Sequence, residues 1–192
     1  MIDLQNLDIK ENDILFFDMD GTLVYTDFAN FLSYRKAIQL YTEVDIKMDF
    51  NTNKRFNRAL LKIALPDLKE DEYEKIILKK NENYKEHLSE TKLNNSVLDI
   101  LLKYSRTNRT VLVTNCREDR AMMTLNYHNL TEKFSDIFFR NILNNGVRIN
   151  KYKNAITSLR LPVQSVIAFE NEICEIEDAI LAGILNKNIL RI

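Results

Sequence analysis

Apolar positions in this chain fall into short unbroken runs separated by longer stretches of helical spacing. Ile14, Leu15, Phe16 and Phe17 lead directly into Asp18-Met19-Asp20-Gly21-Thr22. A run so short and so continuous predicts a strand buried on both faces rather than a helix. Similar runs occupy 110–114 and 165–169, and each ends at a polar cluster, Asn115-Cys116-Arg117 and Glu170-Asn171-Glu172 respectively. Residues 188–191 read as a last short strand. Segments 117–127, 152–159 and 173–182 carry helical spacing between these runs. Strands alternating with helices of about ten residues predict βαβ units around a parallel sheet, an α/β fold of Rossmann-like form. Polar residues gather at the carboxyl ends of the strands, where open α/β sheets hold their ligands.

The interval 27–90 breaks this rhythm. It holds no convincing strand but three helical patterns. Asp27 predicts a helix cap, with Phe28, Phe31, Leu32 and Ile38 on one face of the helix that follows. Segment 54–64 sets Phe56, Leu60 and Ile63 on one face and the cations Lys54, Arg58 and Lys62 on another, with Arg55 beside them. Pro66 and Asp67 open a third pattern carrying Tyr73, Ile76, Ile77 and Tyr84. The division expected is a core of residues 1–26 and 91–192 with an all-helical insertion, 27–90, between its halves.

Composition narrows the class. With 192 residues the chain suffices for one ordinary domain and a small insertion, and 45% hydrophobic with 29% charged residues is usual for a globular protein. A net charge of −1 argues against a general nucleic-acid binder. The first residues lack a basic region and an apolar core, and no apolar stretch nears the roughly 18 residues of a membrane span. Cys116 and Cys174 suggest no disulfide framework. A cytoplasmic protein without a membrane role is expected. No pattern specifies an oligomeric state.

The chemistry concentrates on Asp18 and Asp20. Side chains alternate along a strand, so acids at i and i+2 leave its end pointing the same way. Such a pair repels itself unless it shares a cation or a proton. Gly21 allows a sharp turn and a close approach of backbone to a ligand. This is the arrangement of an active site.

Asp18-x-Asp20-Gly21-Thr22 behind an apolar lead resembles the first motif of the haloacid dehalogenase superfamily, most of whose members are phosphatases. Three later segments follow in that family's order. Thr114 matches its Ser/Thr phosphate-binding position, with Asn115 beside it. Lys151, at the start of a helix, matches its lysine and fits that position better than Lys153. Counting back from Ala182-Gly183 puts Asn171 at the usual metal-binding Asp, Glu175 at the second acid of the Asp-x-x-x-Asp spacing, and Glu170 at a Glu some members carry. The all-helical insertion is similar to the family's cap by architecture alone.

The resemblance implies a set of roles. Asp18 becomes a nucleophile that forms a phosphoaspartate, and Asp20 protonates the leaving oxygen and then deprotonates the attacking water. Lys151 neutralises the nucleophile and the transferring phosphoryl group. Thr114, Asn115 and the Gly21 turn bind phosphate. Mg²⁺ is expected on Asp18, Asp20 through its backbone carbonyl, and Asn171, Glu170 or Glu175. Asn in place of Asp at 171 departs from the family pattern and removes one negative charge. The implied substrate is a small phosphorylated metabolite. A phosphomutase of the β-phosphoglucomutase type is the nearest alternative, and a catalytically weakened binding or regulatory protein is a third. His87 and His128 read as ordinary residues and Cys116 as a packed one. Arg117 and Arg120, just past the second strand, compete with the cationic residues of the insertion to grip the rest of the substrate.

Overall fold

The computed structural model describes residues 7–42, 50 and 55–192. In chain order the elements are β1 (Ile14–Phe17), β2 (Val24–Tyr25), α1 (Asp27–Thr42), α2 (Arg58–Ala64), α3 (Glu70–Asn83), β3 (Lys92–Leu93), α4 (Asn95–Tyr104), β4 (Arg109–Val113), α5 (Glu118–Tyr127), β5 (Asp136–Phe138), α6 (Lys151–Leu159), β6 (Val166–Glu170), α7 (Ile173–Leu181) and β7 (Ile189–Arg191). The chain divides into two compact units, Met1–Val24 with Leu93–Ile192, and Tyr25–Lys92. β2 and β3 pair where the chain passes between them.

The first unit is built on a five-stranded sheet in the order β5-β4-β1-β6-β7. Every pairing in it is parallel, with Phe17 beside Leu112 on one side and Phe169 on the other. The unbroken apolar run of β1 follows from its central place. Leu15 and Phe17 join a core with Val97, Ile100, Leu101, Ala121 and Leu125 of α4 and α5. Ile14 and Phe16 join a second core with Tyr152, Ala155, Ile156 and Ala179 of α6 and α7. Helices therefore cover both faces, and each fully buried aromatic of β1 contributes about 2–3 kcal/mol. Four elements go beyond the sequence reading: the short strands β2 and β3, the helix α4, and the edge strand β5.

The second unit is helical, as its spacing predicts, but its buried faces differ in detail. α1 buries Phe31, Tyr34, Ala37 and Ile38, whereas Phe28 is exposed. α2 starts at Arg58 and buries Leu61, while Ile63, expected inside, is 74% exposed. Lys54 lies outside the described residues. The third pattern begins at Glu70 rather than at Pro66, and it buries Tyr73 and Ile76, with Tyr84 in the 3-10 turn that follows. The cations of α2 are held within this unit: Arg58 pairs with Glu70 at 2.7 Å and with Glu74, and Lys62 pairs with Glu70 at 2.7 Å. Arg55 lies 3.2 Å from Asp27. No described helix is long and apolar enough to cross a membrane.

Candidate active site

The site lies at the carboxyl ends of β1, β4 and β6. Asp18 extends β1, its amide donating to the Phe169 carbonyl at 3.1 Å. The chain then turns tightly, with Gly21 N–H donating to the Val24 carbonyl at 2.8 Å and Val24 N–H to that of Met19 at 2.9 Å. Gly21 has φ +87°, and a Cβ there would stand 2.5 Å from the Asn171 amide nitrogen. The left-handed backbone favours glycine, and any Cβ would force the end of the Asn171 side chain to move.

Lys151 is the centre of the arrangement. Asn150 caps α6 by accepting from the Lys153 amide, which sets Lys151 in the first turn. The Lys151 side chain is almost wholly buried, and its Nζ lies 2.7 Å from Asp18 Oδ1, 2.7 Å from Glu170 Oε2 and 3.5 Å from Glu175 Oε2. Burial alone would lower the Lys151 ammonium, but Asp18, Glu170 and Glu175 outweigh it and hold it above its ordinary value. Lys153, its rival by position, is exposed on the same helix.

Glu170 is fully buried and its acceptor capacity is filled. Oε2 takes Lys151 and the Tyr152 hydroxyl, at 2.7 and 2.6 Å. Oε1 takes the amides of Asn171 and Glu172, at 2.9 and 3.0 Å. Burial and Glu170 push the Tyr152 hydroxyl upward, which keeps it protonated as a donor. This arrangement departs from the expectation of Glu170 as a direct metal ligand, since all four lone-pair directions already have donors. Glu175 is engaged too: Oε1 accepts from Arg148 and Oε2 from the Asn115 side chain, both at 2.7 Å.

The phosphate-binding candidates are placed as follows. Thr114 directly follows β4, fully buried, and its hydroxyl oxygen accepts from the Cys116 amide at 3.0 Å. The Cys116 backbone N–H is thus turned onto Thr114 itself, leaving the Thr114 hydroxyl proton to donate elsewhere. Asn115 commits its NH₂ group to Glu175, while its Oδ1 is buried with no hydrogen-bond partner. Asn171 sits across from the motif loop, its Oδ1 accepting from the Thr22 hydroxyl at 3.0 Å.

Three contributors have no mark in the motif pattern. Tyr152 reads as a core aromatic, and its ring is one, but its hydroxyl reaches Glu170. Arg148 reaches back to Glu175 and, at 3.3 Å, to Asp178. Arg120 pairs with Asp20. Its neighbour Arg117 instead pairs with Asp119 at 2.8 Å on the exposed surface.

Four carboxylates, Asp18, Asp20, Glu170 and Glu175, face three cations, Lys151, Arg120 and Arg148. Negative charge is left in excess, and the effect falls on Asp18. Burial, the largest influence, pushes its carboxyl up, Lys151 pulls it down, and Glu170 and Asp20 push it up again, to about 7. A buried carboxylate short of positive charge, surrounded by further oxygen donors, is what a hard divalent cation fits. Asp18, the backbone carbonyl of Asp20 and the amide oxygen of Asn171 are the residues present that suit such an ion.

A parallel sheet covered by helices on both faces, with a lysine-bridged carboxylate at the end of its central strand, is an α/β fold that gathers its candidate chemistry at the strand ends. The sequence profile of the haloacid dehalogenase-like hydrolases matches residues 15–186, and the chain belongs to that family. No curated protein sequence matches the chain. Among solved structures, it is similar to a haloacid dehalogenase-like hydrolase from Streptococcus pneumoniae, with 17% identity, TM-score 0.70, and coverage of 91% of this chain and 82% of that one. It is similar to CbbY from Rhodobacter sphaeroides in complex with phosphate, with 17% identity, TM-score 0.71, and coverage of 90% and 84%. A predicted phosphoglycolate phosphatase from Haemophilus somnus aligns with 17% identity and TM-score 0.70 over 91% and 83%. At these identities the likeness is one of fold.

Proposed function

We propose that this hydrolase is a Mg²⁺-dependent phosphomonoesterase that acts on a small soluble phosphometabolite through a phosphoaspartate. The observation that carries the reading is the buried Lys151 ammonium 2.7 Å from Asp18 Oδ1, with Asp18 and Thr114 directly after the neighbouring strands β1 and β4. The phosphatase and phosphate-bound structures named above support it by likeness of fold.

In this reading an Asp18 carboxylate oxygen attacks phosphorus, and the bond from phosphorus to the leaving oxygen breaks. Asp20 gives its proton to that oxygen, then takes one from the water that cleaves the acyl phosphate, which regenerates Asp18. Lys151, almost wholly buried, works against the protonation of Asp18 and faces the charge that develops on the phosphoryl oxygens. Glu170 and Tyr152 hold Lys151 in place. The Thr114 hydroxyl donates to a phosphoryl oxygen. Mg²⁺ bound by Asp18, Asp20 and Asn171 would supply charge neutralisation for two anions brought together.

Asp18→Asn preserves shape and removes the nucleophilic charge. Turnover on a panel of phosphometabolites with Mg²⁺ should fall by roughly three or more orders of magnitude while the fold persists. Near-normal turnover in that variant would refute the phosphoaspartate route. The neutral Asn171 favours one second reading, a binding protein that has kept the fold. In that case the wild type is inert on the same panel and Asn171→Asp creates turnover.

A further inference from the structure

Asp20 and Arg120 are a hundred residues apart in sequence and in contact in the fold. Asp20 lies in the loop after β1, and Arg120 in the first turn of α5. Arg120 Nη2 donates to Asp20 Oδ2, and the same guanidinium donates through Nε to the buried Cys116 Sγ at 2.8 Å. The two side chains are 13% and 9% exposed. This is unlike the exposed pairing of Arg117 with Asp119, or the pairings of the α2 cations. The guanidinium is a rigid planar fork. Fixed at one edge by the thiol of Cys116, it presents its other edge at a set place and angle. An Asp side chain on a loop has two rotatable bonds, and this contact fixes them.

We propose that Arg120 is a positioning residue for the proton-transferring Asp20, so that its charge serves that carboxylate and does not grip the substrate. The inference rests on the phosphatase reading. A general acid must place its oxygen within about 2.6–3.2 Å of the oxygen that receives the proton, and small misplacement costs much of the rate. Binding Oδ2 to the guanidinium sets the plane and direction of the carboxyl group that exchanges the proton. A guanidinium engaged through Nε with Cys116 and through Nη2 with Asp20 has little freedom to turn toward a substrate. The geometry therefore places Arg120 in the rate of leaving-group departure and outside substrate binding.

The test compares two esters with Mg²⁺ present: glycerol 2-phosphate, whose alkoxide needs a proton to depart, and p-nitrophenyl phosphate, whose phenolate departs without one. Arg120→Gln and Arg120→Ala should lower kcat/KM on the alkyl ester by about 10- to 100-fold, a part of the usual acid–base contribution, with the loss in kcat and not in KM. On the aryl ester the same variants should change kcat/KM by less than about threefold, because that step needs no acid. Arg120→Lys should recover part of the alkyl rate, and it carries the test if the Ala variant fails to fold. Losses of equal size on both esters, a loss confined to KM, or no loss on either would overturn the inference and leave the phosphatase reading standing. A wild-type enzyme that hydrolyses neither ester would overturn the phosphatase reading, and this inference with it.

Discussion

Replacing Glu170 with Gln tests the core of the site without touching the nucleophile. The carboxylate accepts four hydrogen bonds and is fully buried. Lys151 and the Tyr152 hydroxyl approach one oxygen, and the amides of Asn171 and Glu172 approach the other. A glutamine has one acceptor oxygen and one NH₂ group. If its oxygen keeps the two backbone amides, its NH₂ points at an ammonium and a hydroxyl proton. If it turns over, its NH₂ points at two N–H groups. Neither orientation satisfies the site, and the Tyr152 hydroxyl alone can rotate away. Lys151 keeps Asp18 and, more distantly, Glu175. The loss should therefore resemble breaking a buried ion pair, about 3–5 kcal/mol. For a chain of this length that lowers Tm by about 6–20 °C. The assay is thermal and urea denaturation of wild type and variant in the presence of a chelator. A variant within about 1 kcal/mol of wild type would refute the argument that Glu170 anchors Lys151. If stability without metal is unchanged and only the Mg²⁺ requirement rises, Glu170 is a metal ligand as its sequence position suggested.

Two further outcomes follow from the same geometry. Gly21→Ala forces a left-handed backbone on an L-residue and drives a Cβ to 2.5 Å from the Asn171 amide, so it should cost about 1–3 kcal/mol and lower activity by displacing Asn171; urea melts and turnover check both. The Asp18 carboxyl, pushed to about 7 chiefly by burial, binds its proton more tightly in the fold than in the unfolded chain. Between the ordinary carboxylate range and pH 7 the folded state holds the extra proton, so wild type loses stability as pH rises through that window. Asparagine at 18 does not titrate, and with a chelator present the Tm of Asp18→Asn relative to wild type should rise from pH 5 to pH 8; a difference independent of pH would contradict the raised carboxyl.

How much of this was legible in the sequence depends on how local the cause is. The β1 run is legible because a strand covered on both faces has no polar position to interrupt it. The approach of Asp18 to Lys151 is not written in any spacing, and the family order of motifs supplied it. Strand β5 leaves no signal because three half-buried residues at a sheet edge make no run long enough to stand out. The α4 pattern, Val97, Ile100, Leu101 and Tyr104, has helical spacing but directly follows the helical insertion, which blurs its start. In α2, Leu61 rather than Ile63 turns inward, a rotation that a seven-residue helix cannot announce by periodicity. Arg120 and Arg148 are visible as arginines, but their partners, Asp20 and Glu175, are distant in the chain. Pairings of that kind come from sheet order, and no short-range pattern records them.

Sheet order also bears on the odd residue at 171. β6 lies directly beside β1, so whatever follows Glu170 meets the loop that follows Asp18. Asn171 meets it closely, bonded to Thr22 and packed on Gly21. Carboxylates outnumber cations around Asp18, since Arg148 is shared between Glu175 and Asp178. A carboxylate at 171 would add to that excess, where one carboxyl is already raised to about 7. With a neutral amide, a dication held by the proposed ligands meets one less negative charge. A site so charged trades affinity for the ion against attraction for a phosphoryl dianion. In the proposed phosphatase Asn171 shifts that trade toward the substrate, and the buried Lys151 ammonium, fixed by Glu170 and Tyr152, works against the protonation of Asp18 that burial favours.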